Sequence, residues 1–187
     1  SAGCLAAEKV GELVKDDKDA QPFKVRTASG KQSWYKEAEV VPAVTPAAAT
    51  AVARAKAKVA AAWDKATARC PAVFEVRGAG GTNADAINGT YELAEKPAGK
   101  APVFKKQGCT ARWLFLSIAN QWIAGNTKNK DARQTSGWFF CVDCAPSGTL
   151  PFEMKGDWKA SGFKDPGPWR VQAALTVKAK DPKRPTV

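Results

Sequence analysis

The segment Arg112–Ala124, with the sequence RWLFLSIANQWIA, contains two short apolar runs that are separated by a polar turn at Asn120. Short runs rich in aromatic and β-branched side chains, bounded by turn residues, are typical of buried β-strands. Comparable runs recur at intervals of roughly ten residues, which is typical of sandwiches and barrels. They lie at Val73–Val76, Gly89–Leu93, Pro102–Lys105, Gly137–Phe140 and Trp169–Val177. We therefore predict that residues 71–177 form an antiparallel, Trp-rich β-sandwich or barrel.

A long amphipathic helix is predicted over residues 45–70, where alanine dominates. Thr45 is a suitable N-cap, Pro46 suits the first helical position, and Pro71 disfavours helical geometry at the residue before it. At about 100° per residue, one face collects apolar side chains and another collects cations. The apolar face contains Val52, Val59 and Trp63, and the basic face contains Arg54, Lys58, Lys65 and Arg69. This helix is predicted to connect the flanking regions or to bind a partner.

Two shorter regions flank these elements. Residues 1–44 alternate apolar and polar side chains around a turn at Ala28–Lys31, which predicts a small β module. Residues 178–187 contain two prolines and four cations, which predicts a basic extended tail. The tail cations are Lys178, Lys180, Lys183 and Arg184. The expected fold class is therefore mainly β with one long helix.

Composition narrows the possible functions. The 187 residues include no histidine, so Ser-His-Asp catalysis and imidazole metal sites are excluded. The net charge is +11, and residues 46–69 carry five Lys or Arg against one acidic residue. This basic character favours an acidic protein surface, phosphates or anionic lipid as partner. No paired carboxylates are found in a usable pattern, so we expect no enzyme activity, no cofactor and no metal.

The pair Cys141-Val-Asp-Cys144 fits a CxxC pattern. Such a pair can form half a zinc site or a redox couple, but zinc requires further ligands and no second CxxC exists. A turn at Ala145–Gly148 follows it, whereas a thioredoxin-type motif opens a helix. A structural disulfide or buried free thiols are the favoured interpretations, and a redox or metal role remains an alternative.

Two stretches resemble known modules. Val10–Arg26 (VGELVKDDKDAQPFKVR), Gly30 and Trp34–Val41 (WYKEAEVV) resemble an SH3-like β module common in algal proteins. The second resemblance is to a Trp-rich β module of algae with complex plastids. It is carried by Gly80–Ala84, Asn88–Glu92, Pro102–Lys106, Arg112–Leu114, Gln121–Ile123, Ser136–Trp138, Gly148–Pro151, Trp158 and Trp169. Both resemblances imply a small SH3-like barrel followed by a second β domain, and neither implies catalysis.

These observations together predict a non-enzymatic accessory subunit that docks on a large membrane-associated complex. By analogy with the algal modules, the expected host is a plastid photosystem I supercomplex, with the chain peripheral to the thylakoid membrane. The expected partners are protein subunits or anionic lipid, with no transmembrane span and with nucleic acid disfavoured. The predicted partner-binding residues are Arg54, Lys58, Lys65, Arg69, Lys178, Lys180, Lys183 and Arg184. The alternative is a free-standing basic β module that binds nucleic acid or polysaccharide.

Overall fold

The structure is a computed structural model that describes residues 11–16, 23–27, 29–36, 40, 46–162 and 169–180. Across these residues the fold is mainly β, with twelve strands in two antiparallel sheets and three α-helices. The elements are β1 (Gly11–Asp16), β2 (Phe23–Thr27), β3 (Gln32–Tyr35), α1 (Pro46–Arg69), β4 (Val73–Arg77), α2 (Ala84–Ile87), β5 (Gly89–Glu95), β6 (Val103–Lys106), β7 (Trp113–Leu116), β8 (Trp122–Gly125), α3 (Thr127–Asp131), β9 (Phe139–Cys141), β10 (Trp158–Ser161), β11 (Trp169–Val171) and β12 (Thr176–Ala179). The predicted mainly β fold with one long helix is confirmed.

The larger sheet has nine strands in the order β11-β10-β9-β8-β7-β6-β5-β4-β12. In a flat sheet its two edge strands would be about 38 Å apart, at about 4.8 Å per strand. Only residues 172–175 connect β11 to β12, and they can span at most about 18 Å. The sheet must therefore curl, and it forms an antiparallel half-barrel.

Hydrogen bonds close the curled sheet near the start of α2. The backbone nitrogen and the hydroxyl of Thr82 both donate to the carbonyl of Gly162, at 3.1 Å each. The Asn83 side-chain amide donates to the Ser161 hydroxyl at 2.9 Å. These bonds join the loop after β4 to the end of β10, so the half-barrel keeps a fixed curvature.

The inner face of the half-barrel is packed with aromatic side chains. Phe74 stacks on Tyr91 with ring centroids 5.5 Å apart and meets Phe104 edge-on at 4.8 Å. Trp63 and Ala66 of α1 are buried against this layer, and the Trp63 ring meets Trp122 edge-on at 6.2 Å. Other core side chains are Val76, Ile87, Leu114, Leu116, Phe139, Leu150 and Trp158. The C-terminal half of α1 thus covers the open side of the half-barrel.

Helix α1 matches its prediction closely. It begins at Pro46 and ends at Arg69, immediately before Cys70-Pro71. The proposed N-cap Thr45 lies outside the described residues. Val52 and Val59 are half-buried and Trp63 is buried, as the apolar face requires, whereas the predicted basic face is exposed.

The C-terminal strands differ from the prediction of one strand over 169–177 followed by a tail. The chain instead turns after Val171, where Leu175 N donates to Gln172 O at 2.9 Å, and two strands result. They lie on opposite edges of the nine-stranded sheet, with β12 paired to β4. One continuous strand could not pair with both edges of the curled sheet, so the segment divides into two strands. Lys178 therefore belongs to a strand.

The described part of residues 1–44 is a small sheet in the order β1-β2-β3. The turn between β2 and β3 rests on the half-barrel, where the Asn120 side-chain amide donates to the Ser29 hydroxyl at 2.8 Å. Trp34 is covered by the ammonium groups of Lys15 and Lys24, which lie 5.7 and 5.5 Å from its ring. This region is thus in contact with the larger sheet.

Candidate functional site

The strongest candidate site is an exposed patch on α1 formed by Arg54, Lys58 and Lys65, which we call the basic face. All three side chains are exposed, and within the described residues none of them forms an ion pair. The first and last of them are eleven positions apart, which at 1.5 Å per residue corresponds to about 16 Å along the helix axis. The patch is therefore a line of three cations that have no carboxylate partner in the part of the chain that the structure describes.

The basic face is accessible because the rest of α1 supplies the contacts with the fold. The opposite side of the helix is held by Trp63 and Ala66 in the core. Nearer the N-terminus, Lys56 lies 3.8 Å from the Glu12 carboxylate, an exposed contact to β1. Alanine occupies most other positions of the helix, so few long side chains compete with the three cations for its exposed surface. The cations are thus carried on a helix whose orientation is fixed by its other side.

Arg69, the fourth residue predicted for this face, has a structural contact instead. Its guanidinium Nη2 lies 2.8 Å from both carboxylate oxygens of Glu153 and donates to the Gly148 carbonyl at 3.1 Å. The same carboxylate accepts a hydrogen bond from Leu150 N at 2.8 Å. The charge of Arg69 is therefore neutralised locally, and the residue attaches the end of α1 to the loop after β9.

The structure describes only part of the predicted C-terminal basic segment. Lys178 is exposed on edge strand β12, directly opposite Glu75 in the register with β4. Lys180 is half-buried, and its backbone nitrogen donates to the Val73 carbonyl at 3.3 Å. Lys183 and Arg184 lie outside the described residues. Lys178 is therefore on the sheet rather than on α1.

The four cysteines among the described residues are free thiols: Cys70, Cys109, Cys141 and Cys144. Cys141 is fully buried in β9, and burial raises the pKa of its thiol to about 11. The Cys144 thiol donates to the Ala119 carbonyl at 3.5 Å. Reactive cysteines have a lowered pKa, because the thiolate is the nucleophile. The environment of Cys141 is therefore that of a structural thiol.

The tryptophans divide into core and surface side chains. Trp63, Trp122 and Trp158 are buried, whereas Trp34 and Trp169 are about one-third exposed. Trp113 on the outer face has two ammonium groups near its ring, that of Lys105 at 5.2 Å and that of Lys130 at 4.9 Å. These protein cations already occupy positions beside the half-buried Trp113 ring, which disfavours a role in stacking on an external ligand.

A groove on the outer face of the half-barrel is a second feature, and no sequence pattern predicted it. It has a volume of about 250 Å³ and lies between the segment after β5 and the segment at the end of α3. Residues 95–103, 115–116 and 130–133 contribute to it. Only the pairing of β6, β7 and β8 brings these segments together, so no local motif could have predicted the groove.

In the described part of the chain, no three His, Cys, Asp or Glu side chains are grouped so that they could hold a metal ion. None of the helices described is both long and apolar enough to cross a membrane. No protein-family profile, curated protein or solved structure matches the chain. The resemblance to the two algal modules thus stays a prediction.

Proposed function

We propose that this protein is a non-catalytic accessory subunit that docks on an acidic protein surface through the basic face of α1. The observation that carries the proposal is the contrast between the two sides of this helix. One side is fixed in the core by Trp63, and the other presents Arg54, Lys58 and Lys65 without ion-pair partners among the described residues. A charged surface that the fold itself does not use is available for a partner.

Physical considerations support a protein surface as the partner. Because α1 is already folded and anchored, binding would not incur the cost of ordering the backbone of the helix. Three exposed cations in a line accelerate encounter with an acidic surface and fix its orientation, while each exposed pair adds only modest affinity. The resulting contact is expected to be sensitive to salt, because exposed charges are screened within about 10 Å at 0.1 M ionic strength.

The proposed host is a plastid photosystem I supercomplex, with the chain peripheral to the thylakoid membrane. This part of the proposal rests on the resemblance of residues 10–41 and 80–169 to algal modules. An anionic lipid surface near the complex is a further partner within the same proposal. The alternative, a free-standing module for nucleic acid or polysaccharide, would use the same cations through phosphate or sulfate contacts.

Cosedimentation with isolated algal thylakoid membranes tests the proposal. The purified chain is compared with the triple variant R54E/K58E/K65E, in which the basic face is reversed. The matched control is K96E/K128E/K155E, which makes the same charge change at three exposed lysines outside α1. At about 0.5 kcal/mol for each exposed charge contact, loss of three contacts weakens binding by about tenfold.

We expect the wild-type chain and the control variant to sediment with the membranes at low salt, and the triple variant to remain in the supernatant. Equal sedimentation of the two variants would contradict the proposal. Parallel samples with protein-free anionic vesicles and with oligonucleotides separate the partner classes. Binding to vesicles alone would assign the basic face to lipid, and binding to oligonucleotides with a steep salt dependence would favour the alternative function.

A further inference from the structure

The groove on the outer face of the half-barrel combines apolar walls with charged side chains. Pro97 and Val103, both half-buried, provide apolar surface, and Phe115, with 1 % of its surface exposed, lies in the wall of the groove. The charged residues are Glu95, Lys100, Lys130, Asp131 and Arg133. At about 250 Å³ the groove is smaller than a pocket for a drug-sized molecule, so it suits an occupant of about a dozen non-hydrogen atoms.

The two acidic residues of the groove are already paired with one lysine. The Lys130 ammonium lies 2.8 Å from the Glu95 carboxylate and 2.7 Å from that of Asp131. These hydrogen bonds raise the pKa of Lys130, with that to Asp131 the largest cause. Glu95, Lys130 and Asp131 thus pair with one another and together carry a net charge of −1. Among the described residues, the groove cations without a carboxylate partner are Lys100 and Arg133.

Arg133 is the unusual member of the groove. Its guanidinium is half-buried, and Nε donates to the Leu116 carbonyl at 2.9 Å while Nη2 lies 3.5 Å from the Ser117 carbonyl. A guanidinium has five N–H donors, so three remain without an acceptor in the described residues. Its backbone φ of 47° lies in the left-handed region, which a non-glycine residue rarely adopts. Burial lowers the pKa of Arg133.

We propose that this groove is a binding site for a small carboxylate with an aromatic or other apolar body. The carboxylate would accept hydrogen bonds from the free N–H groups of Arg133, which suit a planar two-oxygen acceptor. Lys100, exposed at the rim, adds a second positive charge, and the body of the ligand covers Pro97 and Val103. The half-buried guanidinium has carbonyl acceptors but no carboxylate partner among the described residues, and an anionic ligand would supply that opposite charge. This site does not depend on the basic face of α1.

Titration of the ¹⁵N-labelled chain with 2-naphthoate, followed by NMR, tests this site. A ligand of this size is expected to bind with a millimolar Kd and to shift the resonances of residues around the groove. The neutral analogue 2-naphthamide has the same body without the charge, and inorganic phosphate has charge without the body. We expect each of them to bind at least tenfold more weakly than 2-naphthoate.

Substitution of each cation in turn measures its contribution to ligand binding. Arg133→Gln is expected to raise the Kd at least tenfold and Lys100→Gln about threefold. Lys128→Gln, at an exposed position of α3 that does not line the groove, is the matched control and should leave the Kd unchanged. If Arg133→Gln does not fold, Lys100→Gln and the comparison with 2-naphthamide still decide the question. Equal binding of the amide, equal binding of phosphate, or shifts confined to another surface would overturn the proposal.

Discussion

Replacement of Trp63 by alanine tests whether α1 is part of the core or only an appended helix. The Trp63 side chain is 3 % exposed and meets the Trp122 ring edge-on at 6.2 Å. A buried tryptophan removes roughly 200 Å² from water, which at about 25 cal/mol per Å² corresponds to about 5 kcal/mol. Partial relaxation of the cavity brings the expected loss of unfolding free energy to about 3–5 kcal/mol.

The matched control is Val52→Ala, on the same apolar face of the helix but in its N-terminal half. Val52 is only half-buried, and the small loss of packing is offset because alanine has the higher helix propensity. We expect the free energy of unfolding to change by less than about 0.5 kcal/mol. The two variants therefore separate burial at the half-barrel from the intrinsic stability of the helix.

Urea unfolding monitored by circular dichroism gives both free energies, and an unchanged m-value would show that the transition remains comparable. A Trp63→Ala variant within 1 kcal/mol of the Val52→Ala variant would refute the reasoning. In that case the helix would not cover the open side of the half-barrel, and the basic face would have no fixed orientation.

Two further predictions concern the thiols and the end of α1. The raised pKa of Cys141 stabilises the fold below its ordinary thiol pKa, and this contribution is lost as pH rises toward about 11. Unfolding free energies of the wild-type chain and Cys141→Ala are compared at pH 8 and pH 10.5. Relative to Cys141→Ala, the wild-type chain should lose about 2 kcal/mol of stability over this range. A difference that does not change with pH would contradict a buried neutral thiol. For the pair Arg69 and Glu153, which lie 2.8 Å apart but are partly exposed, a double-mutant cycle with Arg69→Met and Glu153→Gln should give a coupling energy of about 1 kcal/mol. A coupling energy near zero would show that Arg69 does not attach α1 to the loop after β9.

The sequence predicted the features that depend on local patterns. The alanine-rich composition, Pro46 and the Cys70-Pro71 step defined α1 within a residue at each end. The apolar runs identified β4 to β9. These strands are consecutive in the chain and neighbours in the sheet, so local patterns are sufficient to locate them. Side chains on one side of a helix share a face by geometry alone, so the basic face could also be anticipated.

Features that depend on long-range closure could not be predicted. The division of residues 169–177 into β11 and β12 follows from the curling of the whole sheet, which no local pattern encodes. The pairing of Arg69 with Glu153 joins positions 84 residues apart, so helical periodicity alone groups Arg69 with the exposed cations of the helix. The groove around Arg133 likewise needs three separate segments to meet.

Hydrogen exchange of the chain, free and bound to its host complex, measures the central claim most directly. Docking through Arg54, Lys58 and Lys65 predicts slower exchange of the α1 amides from residue 50 to residue 65 in the complex. The N-terminal half of this span is the most informative, because in the free chain it packs least against the half-barrel and its amides are the least protected from exchange. Unchanged exchange across α1, with protection confined to edge strands β11 and β12, would contradict the claim and place the interface on the sheet.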